Sequence, residues 1–284
     1  MNTRLILSQT TLQRVSDAKT TALFESCDPS KRTLILIWPQ FGDFDTLEYA
    51  WWIKRDRAKL NTANIQVRAV GIGDAKAGEQ FCTYTHFPAN HLFIDPTASL
   101  HHQLDLYRGL KASLPGFFSQ RNAQLSGYLN LLLMCAGIGS PGTLKEVLRG
   151  YTGDKSAPQL IADDEVIKAA PLPALKGEVF QRAGGKGFQR PFELATLRLR
   201  NMAEVLSKWK TYVPDAAYLT QRGATFLFEA DRVETDQVGT DQVGTDSRLL
   251  YEWRDRNILG FSPHMSDPIN ALLTASLKGP AQEG

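Results

Sequence analysis

Thr33-Leu-Ile-Leu-Ile-Trp-Pro-Gln-Phe41 is the stretch on which the reading of the whole chain turns. Its first six residues form an unbroken apolar run, preceded by the polar Asp28-Pro-Ser-Lys-Arg32. A strand with one wet face alternates apolar and polar residues; a continuous run implies burial on both faces, in a sheet covered by helices. Pro39 to Phe44 follows as a loop. Asp45 with Glu48 then fits a helix-opening carboxylate with a glutamate three residues on, and Leu47 to Leu60 continues in helix formers.

Outward from this start the pattern repeats. Asn64 to Gly71 reads as a strand, Lys76 to Thr85 as a helix, His91 to Ile94 as a strand, and Thr97 to Tyr107 as a helix opened by Asp95-Pro96. Strand and helix in alternation imply parallel strands joined by right-handed crossovers. Upstream, residues 5 to 25 alternate loosely and read as an N-terminal β-hairpin. After Tyr107 the period changes, and Leu110 to Tyr212 reads as mainly helical and looped, broken by Ser140-Pro-Gly142, Pro171-Leu-Pro173 and Gly184-Gly-Lys-Gly187. Gly223 to Glu229 and Ser247 to Arg254 look like an antiparallel pair, and a last helix is expected at Asp267 to Leu277. Between the two strands the direct repeat Thr235-Asp-Gln-Val-Gly-Thr240-Asp-Gln-Val-Gly-Thr245-Asp246 is too short and polar to bury anything, and reads as an expanded hairpin loop without a function of its own.

Specific residues add a family likeness. Leu36-Ile-Trp-Pro-Gln-Phe41 resembles the strand-to-loop entry to the active site of peroxiredoxin-like (AhpC/TSA-type) proteins of the thioredoxin superfamily. Phe87-Pro88 with Leu92-Phe-Ile-Asp-Pro96 is similar to that family's phenylalanine-proline, strand and aspartate sequence. Arg222-Gly-Ala-Thr-Phe-Leu-Phe228 with Leu250-Tyr-Glu-Trp-Arg-Asp-Arg256 resembles its closing strand and basic return strand. More narrowly, Gly42 to Trp52 and Met134 to Thr143 resemble a subgroup of cyanobacteria and plastids that lacks the active-site cysteine, which points to a photosynthetic source. The resemblance implies an α/β fold: a thioredoxin-like, peroxiredoxin-type mixed sheet flanked by helices, with a large mainly helical insertion before the final hairpin. The expected division is residues 1–110 for the first half of that domain, 111–215 for the insertion and 216–284 for the closing hairpin and helix.

In such a fold the nucleophilic thiol sits at the start of the first long helix, where unpaired backbone N–H groups and the helix dipole favour thiolate. Here Pro39 to Ala50 holds neither cysteine nor serine. Pro39, Phe41, Gly42, Asp43 and Asp45 form the degenerate site, and no catalytic residue is expected among them. Carboxylates suit a helix N-terminus as caps, but they are poor nucleophiles toward peroxide.

The remaining chemistry is sparse. Cys82, in the helix before Phe87-Pro88, is the fallback thiol; to react it needs partial exposure and a cationic neighbour, for which His86 is the candidate. Cys135 lies in an apolar run and Cys27 beside a turn. The three cysteines are widely separated and odd in number, giving neither a disulfide framework nor a CxxC pattern. His101 and His102 are adjacent, and on a helix they point about 100° apart, so no metal site is expected. No Walker, Rossmann or nucleophile-elbow fingerprint occurs, and no cofactor is expected. Gly139, Ser140, Gly142, Thr143 and Lys145 make a helix start whose open N–H groups could also receive an anion. Arg182, Lys186, Phe188 and Arg190, in and around a basic glycine-rich loop, combine arginine with an aromatic ring, the usual anchors of protein interfaces. Of the neighbouring Trp51 and Trp52, one ring is expected in the core and the other exposed or covered by the insertion.

Composition narrows the function classes. Apolar residues make up 43% of the 284 and charged ones 22%, enough for a core, and the net charge of +2 gives no support for a nucleic-acid partner. Met1 to Gln9 lacks the basic start and apolar run of a signal peptide, and no apolar window approaches the ~20 residues that span a bilayer. A cytoplasmic or stromal-equivalent location is expected, with peripheral association to a membrane complex left open. The expected function is that of a redox-inactive binding, assembly or regulatory module working through contacts with another protein, which leans away from an enzyme. The alternatives are a thiol oxidoreductase or peroxidase using Cys82, and a small-ligand or anion-binding protein.

Overall fold

A computed structural model describes residues 3–109, 161–168, 173–182, 189–230, 233–235, 241–243, 248–256, 260–265 and 267–278. The deciding stretch is the strand β3 (Arg32–Gln40), nine residues long and buried along almost all of its length. Leu34, Leu36 and Trp38 enter one core cluster while Ile35 and Ile37 enter another on the opposite face. This is the two-sided burial that the unbroken apolar run implies.

On one side β3 pairs in parallel with β4 (Ile65–Ile72), which pairs in parallel with β5 (Leu92–Ile94). On the other it pairs antiparallel with β8 (Ala224–Phe228), itself antiparallel to β11 (Leu249–Arg254). The far edge carries β1 (Thr11–Arg14), antiparallel to β5, and β2 (Thr20–Ala22). The order β11-β8-β3-β4-β5-β1-β2 is a mixed seven-stranded sheet, and with helices against it the architecture is the expected α/β, thioredoxin-like one. Helices α2 (Phe44–Arg55), α3 (Arg57–Thr62), α4 (Ala75–Thr85) and α5 (Ser99–Gln103) lie in the crossovers.

Several boundaries differ from expectation for local reasons. The N-terminal segment opens with a helix, α1 (Thr3–Gln9), and only Thr11–Arg14 and Thr20–Ala22 form the hairpin. The helix expected to run to Leu60 divides at Asp56, whose carboxylate faces Arg55 at 3.5 Å and Lys59 at 3.3 Å. The helix expected from Thr97 to Tyr107 is short; its first turn is held by Asp95, which accepts from Ser99 N, Ser99 Oγ and Leu100 N.

Of the segment read as a helical insertion, the described part holds a small ribbon, β6 (Val166–Ile167) with β7 (Leu175–Lys176), then α6 (Glu178–Arg182), α7 (Gln189–Ser207) and α8 (Trp209–Tyr212). At the start of the repeat, β9 (Val233–Thr235) pairs antiparallel with β10 (Asp241–Val243), which lies within it. The chain closes with α9 (Pro268–Lys278), whose Ile269 and Leu272 join the main core. No helix among the described residues is long and apolar enough to cross a membrane.

Candidate functional site

The site is built where β3 runs out. Phe41 N–H donates to Ile72 O at 3.1 Å, which swings the Phe41 ring under β4. Only glycine fits above it: a Cβ on Gly71 would stand 2.3 Å from the ring. Asp43 N–H closes a turn onto Gln40 O, and α2 begins. Asp43, rather than Asp45, is the N-cap; its Oδ1 accepts from Asp45 N–H at 2.8 Å. Asp45 thus sits inside the first turn, and the expected pairing of Asp45 with Glu48 as a capping set gives way to a different arrangement.

Both aspartates face one cation. Arg222 Nη1 donates to Asp43 Oδ2 at 2.9 Å and Nη2 to Asp45 Oδ2 at 2.8 Å, with the guanidinium side chain only 2% exposed. Asp45 Oδ2 also accepts from Gly260 N–H at 2.7 Å. Gly260 has φ +106°, a backbone conformation that side chains other than glycine's avoid. Asp255 completes the cluster from the end of β11, accepting from Gly223 N–H and Trp253 Nε1, each at 3.0 Å. Deeper along α2, Glu48 pairs with Arg198 of α7 at 2.8 Å.

Three carboxyls around one guanidinium leave an excess of negative charge in a dry site. Burial pushes Asp43 up to about 7 against the pull of Arg222, and it pushes Asp255 up to about 7 in the same way. Burial works against the Arg222 cation too, but Asp43, Asp45 and Asp255 more than offset it and hold the guanidinium above its usual value. Isolated, such a buried cation is very costly, and its presence is intelligible only with these partners.

The space beside the cluster is small. A cavity lined by Trp38, Pro39, Asp45, Tyr49, Asp255 and Phe261 offers about 10 Å³, room for roughly one water. Tyr49 and Phe261 stack at 4.1 Å over it. Gly42 is covered by the end of α8: a Cβ there would meet Val213 Cγ2 at 2.8 Å and Tyr212 Cβ at 3.1 Å.

Cys82 lies elsewhere, on α4, half-buried, and burial alone pushes its thiol up to about 12. His86, expected as its cationic neighbour, is instead the left-handed C-cap of α4; it is exposed and donates its backbone N–H to Cys82 O. His101 is fully buried, its Nε2 2.9 Å from Trp38 O and its Nδ1 3.6 Å from Asp95. Trp52 is the core ring of its pair, and Trp51 packs edge-on to it, half-buried.

The segment Gly139, Ser140, Gly142, Thr143 and Lys145, together with Cys135, Lys186 and Phe188, lies outside the described residues. Arg182 ends α6 and Arg190 lies in the first turn of α7. Among the described residues no group of three or more His, Cys, Asp or Glu side chains is placed to hold a metal ion.

Sequence reasoning named the two aspartates of the site and missed Arg222, Asp255 and Gly260. A signal was present. Pro39 to Ala50 carries Asp43, Asp45 and Glu48 with no cation of its own, while Arg222 stands just ahead of the uncharged, mostly apolar Ala224–Phe228. Each needs the other once buried.

A mixed sheet with two parallel crossovers, a closing antiparallel hairpin and a helix N-terminus at the end of its central strand defines a peroxiredoxin-type protein of the thioredoxin-like class. The family model for AhpC/TSA antioxidant enzymes matches residues 52–237, and the chain belongs to that family. The match begins just beyond the segment that lacks the cysteine. No curated protein is similar enough to the chain to be matched to it.

Proposed function

We propose that this AhpC/TSA-family protein is redox-inactive and acts as a binding or assembly module through contacts with another protein. The observation that carries this reading is the Arg222–Asp43–Asp45 cluster at the N-terminus of α2. A peroxide-reducing thiol needs a vacant positive end and access for its substrate. At this helix the positive end faces a carboxylate cap, the guanidinium has two carboxylate partners, and the adjoining cavity is water-sized. Cys82 is a poor substitute, because a thiol pushed up to about 12 is almost wholly protonated at neutral pH.

The contact surface proposed for the partner is the basic segment bearing Arg182, Lys186, Phe188 and Arg190. Arginine and aromatic side chains carry disproportionate binding energy at interfaces. The test is co-purification of tagged wild-type protein beside an Arg182→Glu/Arg190→Glu variant from the native source, with circular dichroism to check the fold. A defined partner retained by wild type and lost by the folded variant supports the module reading. An identical set of co-purifying proteins refutes this surface.

A further inference from the structure

A second cavity, separate from the carboxylate cluster, opens between α2, the end of α4, the segment 161–168 and α7. It measures about 480 Å³, within the ~300–1,000 Å³ typical of small-molecule sites. Trp51, Lys54 and Arg55 line it from α2, Tyr84 from α4, Arg200 from α7 and Glu165 from the remaining side. Three cations face one carboxylate, and Glu165 forms no ion pair with any of them among the described residues.

Arg198 and Arg200 of α7 differ in a way that is informative. Arg198 is consumed by Glu48 at 2.8 Å. Arg200, two residues on and half-buried, has no carboxylate partner among the described residues, and its Nε is a buried donor without an acceptor. Its guanidinium carbon lies 5.7 Å from the Tyr84 ring centre. Arg55 likewise lies 5.9 Å from the ring centre of Trp51 and is steadied by Asp56 at 3.5 Å. The cavity therefore presents aromatic surface and cations together, with one partly buried guanidinium short of an anion. A half-buried guanidinium that lines a cavity without a carboxylate partner is suited to a charge-assisted hydrogen bond with a ligand anion.

We infer that this cavity is a binding site for a planar aromatic anion, its ring against Trp51 and Tyr84 and its acidic group on Arg200 and Lys54. A drug-sized ring system fills the volume, charge-assisted hydrogen bonds orient it, and neutral or cationic analogues are discriminated against. This inference stands apart from the proposed partner surface and survives the failure of that reading.

The test is a titration of the full chain with anilinonaphthalene sulfonate, followed by its fluorescence and by calorimetry. One saturable site is expected, weakened at least about tenfold in Arg200→Gln, since a charged hydrogen bond contributes about 1.5–3 kcal/mol. Phenylnaphthylamine, which has the same rings without the sulfonate, is expected to bind at least about tenfold more weakly by the same reasoning. Because Arg200 is half-buried, circular dichroism checks that variant's fold, and Lys54→Gln, an exposed position, gives a second reading with about threefold weakening expected. Absence of saturable binding up to about 1 mM probe, or binding unchanged in Lys54→Gln and in folded Arg200→Gln, overturns the inference.

Discussion

Replacing Arg222 by methionine removes the one cation of the cluster while keeping much of its packing volume. The guanidinium is 2% exposed and makes bonds of 2.9 and 2.8 Å to Asp43 and Asp45, so nothing from solvent takes its place. Breaking a buried pair in this way costs about 3–5 kcal/mol. An independent route gives a similar figure. A carboxylate left buried without its cation sheds its charge by taking a proton, which at pH 7 costs about 1.4 kcal/mol for each unit between pH and a reference value near 3.9, or about 4 kcal/mol. Asp43, already pushed up to about 7, adds little. At pH 5 the same escape costs only about 1.5 kcal/mol. Urea unfolding of wild type and Arg222→Met, followed by tryptophan fluorescence at both pH values, reads the difference directly. A loss near 4 kcal/mol at pH 7 that shrinks by more than half at pH 5 is expected. A loss under about 1 kcal/mol at pH 7, or one independent of pH, refutes the argument that Arg222 compensates buried carboxylates.

Asp43→Asn keeps a capping oxygen but removes the titrating group. Because burial raises the native value to about 7, the native state holds more protons than the unfolded chain between about pH 4 and 7, and this group's contribution to stability falls as pH rises through that window. The wild-type-minus-variant stability should therefore decline by up to about 1.4 kcal/mol per pH unit, whereas a flat difference contradicts the raised value. Taking the difference cancels His91, which burial pushes down to about 4 and which acts in the opposite sense. Gly71→Ala drives a methyl into the Phe41 ring and is expected to cost about 1–3 kcal/mol in thermal or urea unfolding; an unchanged midpoint would show that the ring moves freely. Native Cys82 should react with iodoacetamide at pH 8 at least about a hundredfold more slowly than free cysteine, given its burial. A rate like that of free cysteine would restore it as a candidate nucleophile.

How much of this was legible beforehand depended on distance along the chain. Thr33–Trp38 declares a central strand because both of its faces are apolar, and parallel pairing with β4 and β5 follows from the intervening helices. The missing cysteine is a plain fact of composition at a known place in the pattern. The α1 helix was hidden because Thr3–Gln9 is short and its apolar spacing fits either period, so contacts of Leu7 with the core decide. Arg222 was hidden for another reason: it meets Asp43 across 179 residues of sequence, and local pattern carries no information on pairing at that range. Arg198 and Arg200 read alike as a basic stretch of helix, yet one is consumed by Glu48 and the other is left beside a cavity. Which of two neighbouring arginines is satisfied depends on what packs opposite, and that is settled only by the fold.

A carboxylate–guanidinium cluster occupies the helix start from which a thiol would act in this fold, and the central proposal is that the protein is therefore no peroxidase. The most direct measurement is peroxide consumption by the purified protein with excess dithiol, wild type beside Cys82→Ser. The account expects no turnover above a protein-free control in either. Turnover well above that control, abolished by the substitution, would contradict it and move the active site to Cys82.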